Sequence, residues 1–365
     1  MIRTLLALLV VCSIALPVRA AEESPHIDIV FCIDCSGSMG GVIETAKMKV
    51  WDIVNQVGKA KPAPVLRIGL LGYGNGAAKP RFFDLSDDLD TVYKNLMTFK
   101  DEGWGDEHVG LAVDIARREM KWSPEGKKTL KLIYVIGNET AHQGSPDYTK
   151  SAPDAIAAGI MINAIYCGTT DKDSATPTWR ELAKLADGQY MEIAGDGGAV
   201  VVATPYDAKL SELNGQLNKT YIGYGKDAPA AAANQAQQDS NAGLFGGSTS
   251  AARAVAKSSG QYRNASWDLV DASKEKDFDL SKVKEEELPE EMRKLSAADR
   301  KAYVELKSKE RGAVQTEIQK VAAQREAFMK EEIAKKGLKS DSALDAAVQQ
   351  SLKEQGEKKG FEFDK

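Results

Sequence analysis

Residues 26–39 read HIDIVFCIDCSGSM. From His26 to Ile33 the run is almost continuously apolar and β-branched, the pattern of a central parallel strand covered on both faces rather than a half-solvated one. A turn follows, and then Val42, Ala46, Val50, Ile53, Val54 and Val57 recur at helical spacing, a stripe suited to lying on a sheet. Working outward, the same reading predicts strands over 65–73, 81–85, 130–136, 160–167 and 189–193. Helices are predicted between them, over 89–99, 109–122, 148–158 and 178–186. Six strands separated by helices specify an α/β fold with a doubly wound, mostly parallel six-stranded sheet flanked by helices, the 81–85 strand lying antiparallel at one edge. Ligands of such sheets bind beyond the carboxyl ends of the strands. The chemistry is therefore sought there.

The first strand end carries Asp34, Ser36 and Ser38 at alternate positions of a tight turn. One carboxylate and two hydroxyls aimed into one space form a hard oxygen set, which suits Mg²⁺. A helix N-cap needs only one such residue. A phosphate loop would end in Gly-Lys-Ser/Thr, and an acidic opening residue would repel the phosphate.

On these residues the segment 25–204 resembles the von Willebrand factor type A (VWA) domain, a VWA/Rossmann-like fold whose metal-ion-dependent adhesion site (MIDAS) opens with Asp-x-Ser-x-Ser after the first strand. It is most similar to exported bacterial members with a helical C-terminal extension. The resemblance implies two further ligands. Gly103-Trp104-Gly105-Asp106-Glu107 resembles a variant of the family's Thr loop and puts Asp106 at the Thr position, while Gly137-Asn138-Glu139 puts Asn138 where the family commonly has Asp. One exchange adds a negative charge and the other removes one, so two carboxylates still face the cation. The implied metal set is Asp34, Ser36, Ser38, Asp106 and Asn138. Glu107 replaces Asp106 if the loop aligns one residue on, and Glu139 stands in the same relation to Asn138. The implied ion is Mg²⁺, with Mn²⁺ and Ca²⁺ as alternatives. A protein partner's Asp or Glu would complete the shell, making this a binding, adhesion or assembly module and not an enzyme. Trp104 is a candidate anchor for that partner. Two other readings stay open: a metal-assisted hydrolase with His108 as general base, and a metal-free envelope scaffold acting through its tail.

The rest of the chain bears on location and assembly. Residues 1–20 carry Arg3, an apolar run, Pro17 and a terminal Ala20, the layout of a secretory signal cleaved after Ala20, which predicts a periplasmic or secreted protein. No later stretch is long and apolar enough to span a bilayer. Cys32, Cys35 and Cys167 remain, an odd number; the Cys-x-x-Cys spacing lacks the companions of a zinc site, and small buried residues are the expectation. A net charge of -5 speaks against a nucleic-acid binder. Charge is uneven, however: from Asp271 onward 43 of 95 residues are charged, the composition of a solvated helical appendage. The expected organisation is a signal at 1–20, the VWA domain at 25–204, then helix, linker and a small apolar docking segment over 205–288, and a charged helical tail over 289–365. Leu210, Leu213 and Leu217 share a helical face expected to dock on the α/β domain, and 226–250 reads as a linker or weak helix. A long helix is expected to stop at Gly337. Its seam of Val314, Ile318, Val321 and Phe328 is interrupted by Arg325, so a coiled coil or tail-mediated oligomer competes with a helix packed by one edge on the domain.

Overall fold

The computed structural model describes residues 24–168, 174–338 and 343–363. The expected signal lies outside them. In chain order the first part comprises β1 (His26–Asp34), α1 (Gly40–Gly58), β2 (Ala60–Lys61), β3 (Val65–Tyr73), β4 (Arg81–Ser86), α2 (Leu89–Leu96), α3 (Val109–Glu119), β5 (Thr129–Gly137), α4 (Tyr148–Ala157), β6 (Met161–Cys167), α5 (Thr176–Leu185) and β7 (Tyr190–Ile193). There follow α6 (Asp207–Asn218), α7 (Ala228–Leu244), α8 (Gly247–Lys257), α9 (Leu269–Ala272), α10 (Glu290–Arg293), α11 (Ala297–Lys336), α12 (Leu344–Lys358) and β8 (Glu362–Phe363).

β1 sits at the centre, its apolar residues buried on both faces. It pairs in parallel with β3 and β5, and the sheet runs β4-β3-β1-β5-β6-β7 with only β4 antiparallel. Alternation sends Ile27, Ile29, Phe31 and Ile33 into one core with α1 and α2, and Val30 and Cys32 into a second with α3, α4 and α5. Asp28, a polar residue within this strand, is buried but receives two hydrogen bonds from the Arg67 guanidinium, at 2.9 and 2.7 Å, and one from the Ser123 backbone N–H. Order reverses at β1, with β3 on one side and β5 on the other. The crevice at this switch point is where the Asp34 turn emerges.

The C-terminal part is not a free appendage. Leu344, Val348 and Leu352 of α12, with Phe361 and Phe363, join the same core as the odd residues of β1. Tyr134 of β5 shares a 2.9 Å hydrogen bond with Ser351, and Asn163 exchanges two amide bonds with Gln355. The chain end pairs as β8 with β2. The Ala-rich stretch expected as a linker or weak helix forms α7 and the start of α8, since alanine is the strongest helix former. Leu210, Leu213 and Leu217 pack on α8 and α11 and not directly on the sheet.

α11 begins at Ser296, whose hydroxyl accepts the Asp299 N–H, and ends at Gly337 in the left-handed conformation (φ 59°). Every seventh residue of its inner face is buried: Val304, Arg311, Ile318 and Arg325. The two arginines meet carboxylates of this chain. Arg325 Nε donates to Asp207 at 2.8 Å, and Arg311 Nη1 donates to Asp268 at 2.6 Å and Asp271 at 3.0 Å. The charges interrupting the seam thus hold α11 by one edge to the helices beneath it. Among the described residues no helix is long and apolar enough to cross a membrane.

Candidate metal centre

The turn after β1 is set by backbone and glycine. Cys35 N–H donates to the Tyr73 carbonyl at 2.8 Å, and Gly103 N–H donates to the Cys35 carbonyl at 2.8 Å, drawing the 103–107 loop onto the strand end. Both approaches need glycine. A Cβ on Gly74, whose φ is +98°, would strike Asp34 Oδ1, and one on Gly103 would strike the Gly74 carbonyl. The β5 end is fixed by Tyr73 Oη and Trp179 Nε1, which donate to the carbonyls of Ile136 and Glu139 at 2.9 and 2.6 Å.

Four of the five expected residues come together. Asp34 is fully buried, and its Oδ1 accepts the Ser36 N–H at 2.8 Å. The Ser36 and Ser38 hydroxyls lie 3.3 Å apart, and Asn138 Nδ2 donates to Ser38 Oγ at 2.9 Å. Asp106 is not among them. Its side chain is exposed, and its backbone carbonyl accepts the Gly76 N–H. The next residue, Glu107, is only 2% exposed and turns its carboxyl towards Asp34 and Ser36. Gly105, with a positive φ of 114°, turns the chain just before this pair, so that Glu107 and not Asp106 faces the strand end. Glu139 is exposed and accepts from Gln143 Nε2 at 2.9 Å.

Gln143 links two loops of the site. Its Oε1 accepts the Glu107 N–H at 2.5 Å while its amide nitrogen holds Glu139, so one side chain ties the two outer loops together. An isolated Gln in a polar loop carries no sequence signal for this.

Electrostatics mark the centre. With Asp34 and Glu107 both ionised, neither has a hydrogen to offer, and Asp34 Oδ2 is a buried acceptor with no donor. Asn138 Oδ1 is another. Burial, and next the hydrogen bond and charge of Asp34, push the Glu107 pKa up to about 9; burial likewise raises Asp34. An unmet buried acceptor costs about 1–3 kcal/mol. A proton relieves the carboxyl pair, and a cation would relieve the pair and the orphaned oxygens together. The residues present, two carboxylates, two hydroxyls and an amide oxygen, fit a hard divalent ion. Among the described residues no group of three or more His, Cys, Asp or Glu has a metal-holding arrangement.

The His108 ring packs against Gly144 at the start of α3, with Nδ1 buried and unpartnered. His142 is engaged by Asp147 at 2.8 Å and Tyr148 at 3.2 Å. Cys32, Cys35 and Cys167 are all free thiols. Burial, then the charge of Asp34, pushes Cys35 up to about 12, so it is a poor nucleophile at neutral pH. Trp104 is 83% exposed at the tip of the 103–107 loop.

A strand-order switch carrying Asp-x-Ser-x-Ser at its crevice defines the VWA class. The von Willebrand factor type A domain pattern matches residues 28–216, and the chain belongs to that family. Among solved structures, BatB from Bacteroides thetaiotaomicron is 16% identical, the match covering 46% of this chain and 90% of that one with a TM-score of 0.36. Proximal thread matrix protein 1 from the mussel byssus, solved with a zinc-occupied MIDAS motif, is 18% identical over 47% of this chain and 43% of its own, with a TM-score of 0.39. No curated protein matches the chain.

Proposed function

We propose that this protein is an exported, metal-dependent protein-binding module. A divalent cation, Mg²⁺ in the first instance, is held by Asp34, Ser36, Ser38 and Asn138, with Glu107 taking the place expected of Asp106. VWA domains are commonly interaction or adhesion modules. The observation that carries the reading here is the pair of buried, unpartnered oxygens, Asp34 Oδ2 and Asn138 Oδ1, in the same crevice as two serine hydroxyls. The ion supplies Lewis acidity and an open position when bound. The chain's own residues position oxygens, keep Glu107 out of bulk water and present Trp104 beside the opening. A carboxylate of a protein partner matches both the charge of such an ion and its preference for oxygen. The signal-like residues 1–20 support export to the periplasm or beyond, and the domain reading is a VWA unit at 25–204 followed by a helical part folded back on it.

Calorimetric titration of Mg²⁺ and Mn²⁺ into the wild type and Asp34→Ala tests the reading. Saturable binding is expected in the wild type and its loss in the variant. Equal behaviour of the two, with or without heat, removes the proposal and favours a metal-free scaffold.

A further inference from the structure

Away from the cation site, two helix ends and the middle of a third helix meet around one buried amine. Asn218 is the last residue of α6, Lys257 the last of α8, and Asp239 lies on α7 between them. Lys257 is 1% exposed. Its Nζ donates to Asn218 Oδ1 at 2.6 Å and to both Asp239 oxygens at 3.0 Å, while Asn218 Nδ2 donates to Asp239 Oδ2 at 2.7 Å. An amine, an amide and a carboxylate form a closed triangle. We propose that Lys257 and Asn218 are the partners of an intramolecular isopeptide bond, with Asp239 as the proton carrier.

A buried ion pair alone would need only the amine and the carboxylate. Here the amine's shortest contact is the amide carbonyl, and the amide nitrogen, the leaving group of the reaction, is itself bonded to the carboxylate. Arg253, equally buried, already binds Asp239 at 2.5 Å and Asp90 at 2.8 Å. Burial, and then the charge of Arg253, brings the Lys257 pKa down to about 8, against the opposing pull of Asp239. A desolvated lysine beside another cation is the usual form of an activated amine nucleophile.

The reaction balances without a redox partner. The Lys257 ammonium passes a proton to Asp239, and the free amine attacks Asn218 Cγ to form a C–N bond. The proton returns from Asp239 to the amide nitrogen, the old C–N bond breaks, and the remaining amine proton follows by the same route. The products are a Lys–Asn isopeptide, an ammonium ion and the Asp239 carboxylate. The bond would join α6 to α8, whose apolar faces pack together against Ile318 and Val321 of α11.

Proteolysis of the denatured, reduced full chain followed by tandem mass spectrometry tests this. The expected product is a branched peptide joining residues 218 and 257, lighter by one ammonia than its two linear parts. Asp239→Asn, checked for folding by circular dichroism, should give mainly the linear peptides, and Lys257→Arg only the linear ones. Finding only linear peptides in the folded wild type, after incubation at a pH above the Lys257 value, overturns the proposal without recourse to any variant. Loss of ammonia confined to a cyclic imide at Asn218, with Lys257 linear, overturns it as well. Undiminished branching in Asp239→Asn overturns the role of Asp239.

Discussion

Glu107→Gln separates the charge at the candidate centre from its shape. In the folded, metal-free protein burial and Asp34 hold this carboxyl protonated up to about pH 9, whereas the ordinary value is 4.5. Between those limits the unfolded chain has released the proton and the folded one has kept it. The contribution to stability is therefore full below pH 4.5 and is lost as pH rises towards 9. At about 1.4 kcal/mol per unit, the loss between the ordinary value and neutral pH is about 3 kcal/mol. Glutamine cannot ionise, so urea unfolding in the presence of a chelator should show Glu107→Gln more stable than the wild type near neutrality by up to about 3 kcal/mol, the gap closing as pH falls towards 4.5. Mg²⁺ at about a thousand times its Kd should reverse the order, because it adds roughly 4.1 kcal/mol to the state that binds it. Parallel pH profiles for the two proteins in chelator are incompatible with this. They would mean that Glu107 does not share a buried space with Asp34.

Three other consequences follow from the packing. Leu352 is fully buried in the core shared with β1, so Leu352→Ala should cost about 2–5 kcal/mol in urea unfolding, and no shift in midpoint would mean that α12 is not part of that core. Asp207→Ala strands the buried Arg325 charge and should cost about 3–5 kcal/mol, most of it recovered when Arg325→Met is added; a double variant as unstable as the single would dismiss the ion pair as the cause. Trp104→Ala should leave stability within about 0.5 kcal/mol and calorimetric Mg²⁺ binding unchanged, since the ring is exposed; a larger loss on thermal unfolding would place the ring beneath its loop.

The sheet was legible because each strand is a short apolar run and each helix a periodic one, signals that survive without tertiary information. Even the antiparallel edge strand at 81–86 was visible, from the shortness of its connection to β3. The first loop of the site was legible for a similar reason, since Asp34, Ser36 and Ser38 are adjacent in sequence. The second loop was not. Asp106 and Glu107 are equivalent by chemistry, and the choice between them depends on how Gly105 turns the chain. The tail misled through composition. Its charges suggest solvent, yet Arg311 and Arg325 face inward to Asp268 and Asp207, partners about 40 and 120 residues away that no local pattern reveals. The helix over 228–244 was hidden by its few large apolar side chains, although its alanines favour the conformation it takes.

The proposed ion in the β1 crevice would keep a coordination position open to a partner. Water-proton relaxation during Mn²⁺ titration tests this, because enhancement requires both a bound ion and exchangeable water on it. One saturable, Mg²⁺-displaceable site with strong enhancement is expected in the wild type and none in Asp34→Ala. Equal enhancement in the two proteins, or tight Mn²⁺ binding without enhancement, would contradict it.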